Sequence, residues 1–260
     1  MSELASLDGR VLPVAEARIP VTDEGLLRGD GVFEVLRLYG GRPFAFADHI
    51  ARMERSAANL RLPFDPSAMR ADAAALLDVA APGDALLRLV ATRGGHRLAL
   101  LESLPQHSPG VRLGSVTYAP TRVLDGVKSL SYAGNMLASR LARERGFDEA
   151  LLVTPHGRVL EAPTSSFFWV RDGRPFTPPL DDHILASITR SLLIEIAGIE
   201  EAACTSADLQ AADEAFLAST VREVQPVTVI DDRELPGTRP VTLAAATGLR
   251  ERIEAELAPG

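Results

Sequence analysis

The first third of the chain is organised by a change in the spacing of its apolar positions. Gly31-Val32-Phe33-Glu34-Val35-Leu36-Arg37-Leu38-Tyr39 is rich in β-branched and aromatic residues and stops at Gly40-Gly41, which predicts a strand and a turn. A shorter strand is predicted at 9–13, and the glycines of Leu26-Leu27-Arg28-Gly29-Asp30-Gly31 suit a tight backbone between the two. Ile50, Met53, Ala57 and Leu60 then recur at helical spacing, predicting a helix over 49–61 with Asp48 as its cap. Pro66 opens a second helix to about Val79, ended by Pro82-Gly83. Strand patterns return at 84–93, 98–101 and 111–118. Alternation in the first of these puts Arg88, Val90 and Thr92 on one face and Leu87, Leu89 and Ala91 on the other. An arginine in so apolar a strand is either ion-paired or waiting for an anion.

Ala119-Pro120-Thr121-Arg122 reads as a linker. The expected division is a small N-terminal domain over 1–119, a linker over 120–126 and a larger C-terminal domain over 127–260. The second part carries a helix that runs after Ser131 to Arg145 and is stopped by Gly146, strands at 150–153 and 159–161 about Pro155-His156-Gly157, and a strand at 167–170. Thr177-Pro178-Pro179-Leu180 leads into an amphipathic helix beginning near Ser187-Ile188-Thr189, whose hydroxyls and free N–H groups suit a phosphate or a simple cap. Strands at 214–217 and 224–230 and a helix from about Thr242 complete the chain. Helices and strands mix in both parts, so the fold class is α+β or α/β.

Composition narrows the chemistry. At 260 residues with 46% hydrophobic content, the chain can bury a sizeable core. It lacks an apolar run near the ~20 residues of a membrane span and a signal-like start, so a cytoplasmic protein without a membrane role is expected. The lone Cys204 excludes an internal disulfide, and a net charge of −8 argues against a nucleic-acid surface. Five scattered histidines show no ligand spacing, so no metal is expected.

All but one of the 27 basic residues are arginine; the exception is Lys128, in the strand-like run Val127-Lys128-Ser129-Leu130-Ser131-Tyr132. Guanidinium cannot readily deprotonate and attack a carbonyl, whereas a suitably placed primary amine can. Lys128 is either an accident of a lysine-poor composition or a Schiff-base lysine. Glu161, ending its strand beside Ala162 and Pro163, is either a plain exposed carboxylate or a partner for such chemistry.

Taken together, GDGVFEV (29–35), DHIARMERSAANL (48–60), KSLSYAGNMLASRLARERGFDEALLV (128–153), GRVLEAPTSS (157–166), TPPL to ILASITR (177–190) and FLASTVREVQPV (216–227) resemble the class IV aminotransferases. These are the fold-type IV enzymes that use pyridoxal 5′-phosphate. The resemblance implies a small N-terminal and a larger C-terminal α/β domain, and a homodimer with a shared site. It implies that Lys128 is the Schiff-base lysine, that Glu161 pairs with the cofactor's pyridine nitrogen, and that Tyr132 bonds its phenolic oxygen. Arg52, Ile188, Thr189 and Thr220 match the phosphate cup; by helix position alone, Arg52 would be a solvated or ion-paired residue.

The substrates so implied are an amino acid and a 2-oxo acid such as 2-oxoglutarate or pyruvate. The chain departs from the patterns of the subfamilies. Phe33 stands where D-amino-acid transaminases carry tyrosine, and Thr92-Arg93-Gly94-Gly95-His96-Arg97 lacks their R-x-H pair. Arg28 and Arg88, with Arg97 in reserve, are the expected substrate-carboxylate residues, and D-amino acids such as D-glutamate or D-alanine the expected donors. A branched-chain L-amino-acid aminotransferase and an aminodeoxychorismate lyase releasing pyruvate are the alternatives, with a non-catalytic cofactor-binding protein as a third.

Overall fold

The computed structural model describes residues 4–258. They pack as two compact units. The first takes the chain as far as Pro105 and adds Gly126–Tyr132, and the second takes Gln106–Asp125 and everything from Ala133 onward.

The first unit has strands β1 (Leu4–Leu7), β2 (Arg10–Pro13), β3 (Gly31–Tyr39), β4 (Arg42–Pro43), β5 (Ala85–Thr92) and β6 (Arg97–Glu102), with helices α1 (Glu24–Arg28), α2 (Phe46–Asn59) and α3 (Pro66–Val79). The strands form one sheet in the order β2-β1-β6-β5-β3-β4, antiparallel throughout. Period-two alternation sends Val32, Leu36, Leu87 and Leu89 to one face, where Ile50 and Met53 of α2 and Met69 and Leu76 of α3 cover them. Full burial of each such side chain contributes about 1.5–3 kcal/mol. Asp65 caps α3 by accepting from the Ser67 and Ala68 N–H groups. α2 begins earlier than its apolar spacing predicts. Its cap is Ala45, in left-handed backbone with no side-chain bond, and Asp48 sits inside the first turn, where its charge favours the helix dipole instead. The run before β3 is a five-residue helix, α1, capped by Asp23 and closed by left-handed Gly29 (φ 69°).

The second unit has strands β7 (Val111–Thr117), β8 (Glu149–Val153), β9 (Arg158–Val159), β10 (Ser166–Arg171), β11 (Arg174–Thr177), β12 (Glu200–Glu201), β13 (Cys204–Thr205), β14 (Glu214–Ser219), β15 (Glu223–Ile230) and β16 (Arg233–Glu234). Its helices are α4 (Ala133–Glu144), α5 (Ile188–Ala197), α6 (Ser206–Ala211) and α7 (Pro240–Leu257). The strands make one mixed sheet ordered β12-β11-β10-β14-β15-β7-β8-β9-β13, with β16 on β15. Its aromatic core is stacked across strands: Phe168 lies on Phe216 with centroids 4.6 Å apart.

The packing places two segments differently from the linear reading. Val111–Thr117, read as a further strand of the N-terminal set, pairs in parallel with β8 and β15 of the second unit. Gly126–Tyr132 packs with the first unit although the chain around it belongs to the second. Among the described residues no helix is long and apolar enough to cross a membrane.

Candidate active site

Lys128 is fixed in the first unit by its own backbone. Its N–H donates to Ser56 Oγ on α2 at 3.1 Å, and its carbonyl accepts the Phe33 N–H at 3.1 Å. Leu130 N–H donates to the Gly31 carbonyl at 2.9 Å, and Val32 and Ser129 form a bridge, so 128–130 runs antiparallel along the start of β3. Gly31 is what admits it: a Cβ there would stand 2.5 Å from the Ala91 oxygen and 2.6 Å from Leu130 Cδ1. The Lys128 side chain is half-buried. Its Nζ lies 4.4 Å from the centroid of the Phe33 ring and 5.7 Å from that of Tyr132. The two rings meet edge to face, with centroids 5.3 Å apart.

Behind this corner, on the helix-covered face of the sheet, lies a charge cluster that no periodicity revealed. Glu34 is fully buried on β3 and takes the Arg52 guanidinium at both oxygens, Nε to Oε1 at 2.7 Å and Nη2 to Oε2 at 2.6 Å. His49 Nδ1 stands 2.7 Å from the same Oε2. Burial alone would raise the Glu34 pKa, but Arg52 and then His49 bring it down to about 2. The His49 pKa is lowered, first by burial and against the pull of Glu34, with Arg52 and Lys128 lowering it further. Arg52 is thus an interior, ion-paired residue and not a solvated one. The signal in the sequence was slight: Glu34 at an inward position of a buried strand, and His49 and Arg52 one turn apart on one helix face.

The three candidate substrate arginines each hold a carboxylate. Arg88 meets Glu102 through two bonds, Nε to Oε1 at 2.7 Å and Nη2 to Oε2 at 2.9 Å, and its guanidinium lies 5.7 Å from the Phe33 centroid. The register puts Arg88 and Phe33 on one face, since Phe33 opposes Val90 and Val35 opposes Arg88. Arg97 opposes Ala91 on the other face and bonds Asp72 of α3 at 2.9 Å. Arg28 is exposed at the end of α1 and pairs with Glu24 one turn earlier. Phe33, Arg88, Lys128 and Tyr132 therefore gather at one place, and Arg97 is turned away from it.

The second unit carries the remaining candidates. Ser187 caps α5 by accepting from the Arg190 N–H at 3.3 Å, leaving the first-turn amides of Ile188 and Thr189 without helical acceptors. Thr189 Oγ1 lies 3.5 Å from Thr220 Oγ1, on the turn between β14 and β15. Amides at a helix start plus two converging hydroxyls fit a phosphate group. Glu161 follows β9, and its Oε1 accepts the Leu185 N–H at 3.2 Å, tying it to the approach of α5. Burial, with a smaller contribution from Glu161, raises the pKa of the nearby Tyr118 phenol. A carboxylate in this setting fits a protonated ring nitrogen.

Comparison with known proteins adds independent findings. The Amino-transferase class IV family model matches residues 31–230. The chain is 37% identical over 252 residues to a putative branched-chain-amino-acid aminotransferase of Methanocaldococcus jannaschii, covering 87% of this chain and 88% of that protein. It is 30% identical over 280 residues to the D-alanine aminotransferase of Bacillus licheniformis, covering 96% and 97%. Among solved structures, a hypothetical aminotransferase from Mycobacterium tuberculosis in its alpha-ketoglutarate and PMP bound form superposes with a TM-score of 0.88 at 26% identity, covering 97% of this chain and 99% of that one.

Proposed function

The chain belongs to the class IV aminotransferases and depends on pyridoxal 5′-phosphate, and from that premise we propose that it transfers amino groups from D-amino acids such as D-alanine or D-glutamate to 2-oxoglutarate or pyruvate. When bound, the cofactor supplies an electron-withdrawing ring that stabilises negative charge developing at the substrate Cα. Lys128 would hold the cofactor covalently, and with the substrate in place its amine would move the proton at the substrate Cα. Glu161 keeps the ring nitrogen protonated, and Tyr132 donates to the phenolic oxygen. The amides of Ile188 and Thr189 and the hydroxyls of Thr189 and Thr220 would hold the phosphate, and Arg52 is a further candidate by its match to the family motif. Phe33 and Tyr132 shield the lysine from water. The active form is a homodimer.

One observation supports donors that carry an α-carboxylate: Arg88 shares a sheet face with Phe33, whose ring lies against the Lys128 amine. A guanidinium there suits the α-carboxylate. Its pair with Glu102 leaves a third of each side chain exposed, and such pairs contribute about 0–1 kcal/mol. A substrate carboxylate therefore displaces Glu102 at little cost. Arg28, exposed and equally loosely held, is the second carboxylate residue for dicarboxylic substrates. Likeness to the M. jannaschii protein favours a second reading, with branched-chain L-amino acids as donors. Half-reactions with D- and L-alanine, D- and L-glutamate and L-leucine, read by the change in cofactor absorbance, separate the two. Conversion by L-leucine alone would transfer the assignment to the branched-chain reading.

A further inference from the structure

The turn that carries Thr220 is held in an unusual way. It joins β14 to β15 with Ser219 opposite Glu223, and Glu223 closes it in left-handed backbone (φ 57°). A non-glycine residue there is strained, and surrounding contacts must offset the strain. Arg250 Nε donates to Glu223 Oε2 at 3.2 Å, and Arg222 supplies further contacts. Its N–H donates to Ser219 Oγ at 3.4 Å, within the turn. Its guanidinium is directed inward: Nη1 donates to Gln225 Oε1 at 2.8 Å, and Nη2 to Glu149 Oε2 at 2.5 Å and Thr164 Oγ1 at 3.5 Å. The Arg222 and Glu149 side chains are only 6% and 10% exposed. Gln225 is anchored in turn, its Nε2 donating to the Ser108 carbonyl at 2.9 Å. Glu149 opens β8, and Thr164 lies in the bend just after Glu161. One buried guanidinium therefore ties together the Thr220 turn, the bend after Glu161 and the start of a central strand.

We propose that Arg222 and Glu149 form a positioning pair that sets Thr220 against Thr189 and so determines how tightly the cofactor's phosphate is held. This rests on the assignment of the phosphate to Thr189 and Thr220 above. Neither charge is placed on the cofactor itself. A buried ion pair is a poor source of net stability, since apolar residues of similar volume often replace one without loss. What the forked guanidinium adds is direction: it bonds acceptors on β15, on β8 and in the bend after Glu161 at once.

The test compares holoenzyme loaded with pyridoxal 5′-phosphate and with pyridoxal, which lacks the phosphate, following release on dialysis by loss of cofactor absorbance. Arg222→Gln, and Arg222→Met combined with Glu149→Leu, are compared with wild type. The double variant removes both charges, so its thermal midpoint stays near that of wild type. Both variants are expected to release pyridoxal 5′-phosphate about tenfold faster or more, and pyridoxal at most about threefold faster, the loss of a charge-assisted hydrogen-bond network being the scale. Equal acceleration of both cofactors, or none, overturns the proposal. Thr220→Val tests the underlying assignment. If it releases the phosphorylated cofactor no faster than wild type, the phosphate assignment itself has failed and the pair's role with it. If it does release faster while the Arg222 variants do not, only the pair's role has failed.

Discussion

Arg52 and Glu34 meet through two hydrogen bonds, at 2.7 and 2.6 Å, with the Glu34 side chain wholly buried and that of Arg52 nearly so. The pair joins α2 to β3, the same two elements that fix the backbone of Lys128 through Ser56 and Phe33. Its consequence for folding follows from the cost of a buried charge left alone. Glu34→Gln removes the carboxylate charge that both Arg52 and His49 face in the interior and is expected to cost about 3–5 kcal/mol. Urea unfolding should show a lower midpoint with an unchanged slope. A loss below about 1 kcal/mol would mean that water reaches Arg52.

The same cluster sets an acid limit. The His49 pKa lies below its ordinary 6.5 in the folded state, so the unfolded chain takes up that proton first and stability declines as pH falls below 6.5. Glu34 adds to the decline from about 4.5, its ordinary value, down to about 2, where the folded carboxylate finally protonates. Both act in one direction, so unfolding midpoints measured from pH 8 to pH 3 should fall continuously below about 6.5. His49→Gln should flatten the upper part of that curve and leave the lower part. A curve of unchanged shape would remove His49 from the account.

Lys128→Ala is expected to lower turnover by more than about a thousandfold, because in the proposed function Lys128 is the group that moves the proton at Cα. The purified variant should also lack the visible absorbance of covalently held cofactor while keeping the wild-type melting temperature within a few degrees. Cofactor that borohydride still fixed to the variant would show that another amine holds it, although the sequence has no lysine besides Lys128.

Arg88 and Glu102 should separate by kinetics. Arg88→Gln is expected to raise KM for amino acids by about tenfold or more, a charge-assisted hydrogen bond contributing about 1.5–3 kcal/mol. An amine donor without a carboxylate should not feel the change. Glu102→Gln removes the competitor for the guanidinium, so KM should stay level or fall. A rise with Glu102→Gln equal to that with Arg88→Gln would make the pair structural.

What could be read from the sequence was what is local. The strand Gly31–Tyr39 and the helix Pro66–Val79 are where their spacing and the proline at the helix start placed them. Lys128 stood out by composition alone. The partners of Val111–Thr117 were not legible, because parallel pairing to strands some 40 and 120 residues away leaves no mark on the strand's own pattern. The Glu34, His49 and Arg52 cluster was hidden for a related reason. Each residue alone resembles an ordinary polar position, and only the packing of α2 on β3 brings them together. The face of Arg97 was likewise decided by the β5–β6 register, which the loop sequence does not encode.

The return of Gly126–Tyr132 to the first unit bears on how such enzymes can be recombined. The chain passes from one unit to the other after Pro105, after Asp125 and after Tyr132. A chimaera of two relatives with one crossover near residue 106 would set a foreign 126–132 segment against Gly31, Phe33 and Ser56, the residues that hold the lysine's backbone. Exchange of a whole unit needs all three crossovers, so those seven residues are inherited properly only with the sheet they line.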